Sequence, residues 1–192
     1  MQKLPRIEIS AAFCVFLAVS LLLLPLQWVL AAIVAACFHE ACHIVAIRLL
    51  GGRLSSIFAG MNGASICIAT MSESKECICA LAGPVGGIIL LLFARWIPRI
   101  AVCAAIQSLY NLLPLYPLDG GRALRCILLM IMPKYAGKLC AWIETICLIG
   151  ITTLALYACL FLHLGLLPLV FAGLLWHKTK NTPCKAPVLK VQ

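Results

Sequence analysis

The chain has 192 residues, 64% of them hydrophobic and 11% charged, with a formal net charge of +9 and a mean hydropathy of +1.10. A soluble domain is nearer half apolar and a quarter charged, so this chain is built for lipid, and a single membrane-embedded domain over 1–192 accounts for its length. The basic residues sit in short clusters between apolar runs with no basic face or binding motif behind them, which argues against nucleic acid and points to anionic lipid headgroups. The twelve cysteines form no C-x-x-C pair and no secreted framework, and read as small apolar packing residues.

Ile9 to Phe38 is uncharged and, at about 30 residues, too long for one crossing that needs about 20. Leu24-Pro25-Leu26-Gln27 is the natural break, giving a first span near Ile9–Leu24 and a second near Trp28–Ile47. Lys3 and Arg6 ahead of the run suggest a signal peptide, and Val34-Ala35-Ala36-Cys37 looks like a lipoprotein cleavage box. That box lies too deep, behind too long an apolar run, so both readings are set aside. After Gly51-Gly52-Arg53, the stretch LSSIFAGMNGASICIA offers two short β-prone runs around Asn62-Gly63, a hairpin signal whose alternative is an irregular loop.

A third span is expected near Cys77–Phe93, where Gly83 and Gly87 make a GxxxG spacing suited to close helix approach. A fourth is expected near Ile100–Leu118, broken at NLLPLYPLDGGR, where Pro114 and Pro117 remove backbone donors. Irregular backbone at membrane depth survives only beside a cavity or site. Leu139–Trp176 is long enough for two short spans turning near His163-Leu164-Gly165, and a short flexible tail follows over 178–192. Six spans with both termini cytoplasmic leave only Arg95 and Arg99 on the outside, in accord with the positive-inside rule. The expected fold is an all-α polytopic membrane protein with a small membrane-associated β-hairpin.

Glu40, Asp119 and Glu144 fall within or beside expected spans, where a carboxylate costs about 2.5–3.5 kcal/mol and is a functional candidate by default. His39 and His43 are four apart, so on a helix they lie about 40° apart and one turn on, able to reach one metal. Glu40 sits about 100° round from His39, placed to touch a water on the metal. Zinc would make that water acidic enough to ionise near neutral pH, and Glu40 would take its proton and return it to the leaving amine. A catalytic zinc wants three protein ligands. His163 and His177 fall at the wrong depths, whereas Asp119 lies near the depth of His39, with Gly120-Gly121 giving freedom to aim it. The alternative for Asp119 is a turn former at the water interface. Glu144 either snorkels or pairs with a basic residue near the inner surface, or lines the site. Cys42, about 300° round from His39, is expected to pack and not to ligate.

His39-Glu40-Ala41-Cys42-His43 in an early span, with NLLPLYPLDGGR some seventy residues on, resembles the site-2 protease family of intramembrane zinc metalloproteases. The resemblance covers roughly Trp28 to Arg125 and is greatest to the compact bacterial branch containing the protease that matures a sporulation sigma factor. It implies His39, His43 and Asp119 as ligands of one Zn2+ and Glu40 as catalytic base. It also implies Asn111 and Pro117 as substrate-engaging positions, and Leu54–Ala69 as a hairpin beside the site that holds an unwound substrate by backbone pairing. The implied substrate is a membrane-associated protein cut within or near its span at the cytoplasmic half of the bacterial cell membrane, a regulatory, sigma-factor-type precursor by extrapolation. Gly87 departs from the family, where the related Gly-Pro pattern often ends in asparagine. No PDZ or CBS domain is read in the chain, so regulation would come from a separate membrane protein, substrate supply or access. Two other classes compete: a divalent-cation transporter, which would spread its ligands along a path in paired repeats, and an inactive membrane scaffold, which would need neither Glu40 nor Asp119.

Overall fold

The structure, a computed structural model, describes residues 7–9, 18, 20–52, 54–60, 63–68, 71–163 and 165–181. The chain divides into two compact units, Met1–Asn111 and Leu112–Gln192.

In the first unit the helical residues at 20–23 stop at Pro25, and α1 runs from Leu26 to Leu49. Most of the first expected span lies outside the described residues, and Ile9, its expected start, belongs to a strand instead. That strand, β1 (Ile7–Ile9), pairs in parallel with β2 (Leu54–Gly60), which pairs antiparallel with β3 (Gly63–Ile68). The order is β1-β2-β3, and a register shift between Leu54 and Ser56 marks a bulge in β2. Asn62, the first residue of the expected Asn-Gly turn, is outside the described residues, as is Ala69.

Helix α2 spans Glu73–Ile89 and tightens into a 3-10 turn over Leu90–Phe93. Its first turn carries Glu73 and Glu76, favourable at the positive end of the helix dipole. Lys75 Nζ donates to the carbonyl of Leu50 at 3.0 Å, satisfying the C-terminal end of α1 from the start of α2. Helix α3 then runs from Pro98 to Asn111. The three helices pack pairwise through small buried residues, among them Ala31, Ala35, Cys79, Ala80, Ala101 and Ala104. Small residues let backbones approach closely where lipid offers no hydrophobic drive for association.

The expected fourth span is cut short. Helix α3 has 14 residues, about 21 Å at the helical rise, and stops before the prolines. A residue preceding proline is disfavoured from helical geometry, and the second unit accordingly opens on an irregular loop. Within it Leu115 N–H donates to the Leu113 carbonyl and Leu118 N–H to the Leu115 carbonyl, each at 2.8 Å, and the Tyr116–Pro117 peptide is cis.

Helix α4 (Asp119–Ile131) follows, an element not anticipated from the sequence, with Leu118 in extended conformation ahead of it. Helices α5 (Ala136–Leu160) and α6 (Leu167–Asn181) complete the unit, α4 packing on α5 and α5 on α6. The turn between α5 and α6 carries positive φ at His163 and Gly165, where the expected turn lies. The tail expected from residue 178 is helical as far as Asn181, and the remainder lies outside the described residues. Lys178 and Lys180 form the basic last turn of α6, where cations favour the negative end of the helix dipole.

Among the described residues, three helical stretches are long and apolar enough to cross a bilayer: Leu26–Leu49, Glu73–Phe93 and Ala136–Leu160. Helices α3, α4 and α6, at 14, 13 and 15 residues, fall short of the ~20 that a full crossing needs. Large apolar side chains such as Leu49, Val85, Trp142 and Leu154 are exposed on the long helices, the pattern of a surface solvated by lipid. This is an integral membrane protein.

Candidate metal centre

His39 and His43 lie one turn apart on the buried stripe of α1, with Ala35 before them and Ile47 after. They are 2% and 6% exposed, unusual burial for a side chain that can carry charge. Their Nε2 atoms stand 3.2 Å apart and their rings meet edge to face. Two nitrogens on one tetrahedral zinc with bonds of about 2.0–2.1 Å would be separated by about 3.3 Å. The pair is spaced to share a cation.

The second nitrogen of His43 is committed. Its Nδ1 lies 2.7 Å from the carbonyl of Cys79 on α2. A carbonyl only accepts, so Nδ1 carries a proton, and the nitrogen left to bind a cation is Nε2. A ligating histidine is held this way, its outer N–H given to a carbonyl that fixes tautomer and ring plane.

The space over the two Nε2 atoms exists because residue 83 has no side chain. A Cβ at Gly83 would fall 2.7 Å from His39 Nε2 and would clash harder with His43 Nε2. Gly86 does the same for Cys42, whose Sγ occupies the place a Cβ would take. Cys42 therefore packs against α2, as its position on the helix suggests. Gly87 faces the other way, onto Ser108 and the Ala104 carbonyl of α3. The expected GxxxG pair thus serves two neighbours, Gly83 meeting α1 and Gly87 meeting α3.

Asn111, the last residue of α3, brings its Nδ2 to 3.5 Å from His39 Nε2. Glu40 is half-buried on α1, one position beyond His39. Within the first unit, then, His39, His43 and Asn111 converge, with two further parts: Cys79, which the sequence did not single out, and Gly83, which it marked only for helix packing. No motif could have marked the Cys79 carbonyl, because it is backbone.

In the second unit Asp119 opens α4, buried, with Arg122 Nη1 at 4.0 Å from its Oδ1. Pro117 lies two residues before it. Gly120 and Gly121 are both buried in helical conformation, so conformational freedom is not their use. A Cβ on Gly120 would strike the Leu112 and Leu113 carbonyls, and one on Gly121 would strike the Leu115–Tyr116 peptide. They are small so that α4 can lie against the loop. Glu144 lies on α5, and its Oε1 accepts the backbone N–H of Tyr116 at 3.1 Å, a contact neither of its expected roles named.

No family model matches the chain, and no curated protein matches it. A solved structure, the "Site-2 Protease from Methanocaldococcus jannaschii", superposes with a TM-score of 0.66 at 19% identity, over 100% of this chain and 98% of that one. The chain has the site-2 protease fold. At that identity the shared property is the fold. Within the site-2 protease fold of this chain, the buried histidine pair of α1 has the chemistry of a metal site.

Proposed function

We propose that this protein is an intramembrane zinc metalloprotease, hydrolysing a peptide bond within or near the membrane segment of a membrane-associated protein. The observation that carries the reading is the His39–His43 pair, with Nε2 atoms 3.2 Å apart and His43 held by the Cys79 carbonyl, buried in an apolar helix of a chain with the site-2 protease fold. One Zn2+ is proposed on His39, His43 and Asp119, a nitrogen-and-carboxylate donor set suited to catalytic zinc. When bound, the ion supplies a water acidic enough to ionise near neutral pH. In this reading Glu40 accepts that proton on a carboxylate oxygen and hands it to the departing amine nitrogen. Burial of the site keeps bulk water out and strengthens each electrostatic contact.

Asn111 and Pro117 are proposed to engage substrate, and the Asn111 amide beside His39 supports a role in orienting a carbonyl. A helical substrate has to unwind to be cut. Strand β3 lies at the edge of the β1-β2-β3 order, and its edge is proposed to take the unwound segment by backbone pairing. Both termini are assigned to the cytoplasm on the charge count, and a single membrane-embedded metalloprotease domain over 1–192 is proposed.

The test uses purified protein in lipid with a membrane-anchored reporter substrate. Glu40→Gln should abolish cleavage while leaving bound zinc and folding intact; full cleavage by that variant would sink the mechanism. Asp119→Ala should lower bound zinc, and unchanged zinc would remove Asp119 from the ligand set.

A further inference from the structure

The loop 112–118 connects the end of α3 to Asp119, and from Pro114 onward the partner of each backbone N–H can be named. Pro114 and Pro117 have no N–H to give. Leu115 N–H and Leu118 N–H are satisfied inside the loop. Tyr116 N–H is satisfied from outside it, by the Glu144 carboxyl of α5 at 3.1 Å. A carboxyl group within a span of mean hydropathy 1.9 is costly, and here it is used on a single backbone amide. Gly121 lies against the same peptide, and a Cβ there would strike Leu115 C and O and Tyr116 N. The Leu115–Tyr116 peptide is therefore bonded to α5 and packed against the first turn of α4, the turn that begins at Asp119.

We propose that Glu144 is a positioning residue that, by holding the Tyr116 N–H, fixes the loop and thereby the direction in which Asp119 leaves it. The proposal rests on the reading of Asp119 as a metal ligand. It requires an acceptor oxygen at position 144 and no charge, so Glu144→Gln keeps the function and Glu144→Leu, apolar and of similar length, removes it. Groups that orient a ligand typically change metal affinity by about 10- to 100-fold when lost, and a loss of that order is expected for Glu144→Leu.

Two measurements on the full chain in lipid or detergent decide it. Hydrogen exchange over 112–118, read by mass spectrometry, should quicken in Glu144→Leu and stay near wild type in Glu144→Gln. Zinc retention against a competing chelator should follow the same order. Equal change in both variants, no change in Glu144→Leu, or faster exchange with unaltered zinc retention would each overturn the proposal. The metal reading is judged separately: if wild type and Asp119→Ala retain zinc alike, Asp119 is no ligand, while the exchange comparison still decides whether Glu144 holds the loop.

Discussion

At the scale of single residues, the histidines state the chemistry and the glycines make room for it. The His39–His43 pair was legible because its spacing matches the helical repeat and its polarity conflicts with an apolar span. Gly83 was visible only as a packing glycine, since its partners come from a helix some forty residues earlier. Its role gives a sharp expectation: Gly83→Ala should lose zinc by tenfold or more, because the added methyl occupies the space beside both Nε2 atoms and overpacking costs about 1–3 kcal/mol. Gly87→Ala is the control, since its methyl would meet Ser108 and the Ala104 carbonyl; it should lower thermal stability and leave zinc stoichiometry unchanged. Cys42→Ala should retain zinc and cleavage, and loss of metal in that variant would show that the thiol ligates.

At the scale of elements, α1, α2 and α5 were readable from hydropathy and length, whereas α4 was not. Two glycines, two arginines and flanking prolines make its segment look like loop, yet the glycines are helical and small for contact, with Asp119 favourably at the positive end of the dipole. Fine distinctions of this kind depend on what lies across from a residue, which composition does not record. The backbone carbonyls facing Gly120 and Gly121 cannot swing aside as a side-chain tip can. Gly120→Ala and Gly121→Ala should therefore each destabilise by about 1–3 kcal/mol, seen as a lower denaturation midpoint and faster proteolysis within 112–118. A midpoint at the wild-type value would show that loop and helix do not touch closely.

For the whole molecule, the fold was anticipated as helical and membrane-embedded, but its crossings were not evenly sized. Three stretches are long enough to span, and shorter helices carry Asn111 and Asp119 at their ends. Helix ends present side chains and freed backbone groups that a continuous crossing would bury, so shortness has a use that a hydropathy count cannot detect. Removal of zinc by a chelator should abolish cleavage in the reconstituted protein, and added zinc should restore it. Metal binding displaces protons from its ligands, so occupancy should fall as pH is lowered; pH-independent binding would argue for a different donor set.

One contact has a consequence for genetics. The atom of α2 that fixes His43 is the main-chain oxygen of Cys79, which every amino acid possesses. An alanine scan of α2 would leave that hydrogen bond in place at position 79, so any signal there would report the packing of the buried side chain and not the hold on His43. Screens for loss of function should instead collect at Gly83, and insertions or deletions upstream of it should inactivate the protein where substitutions do not.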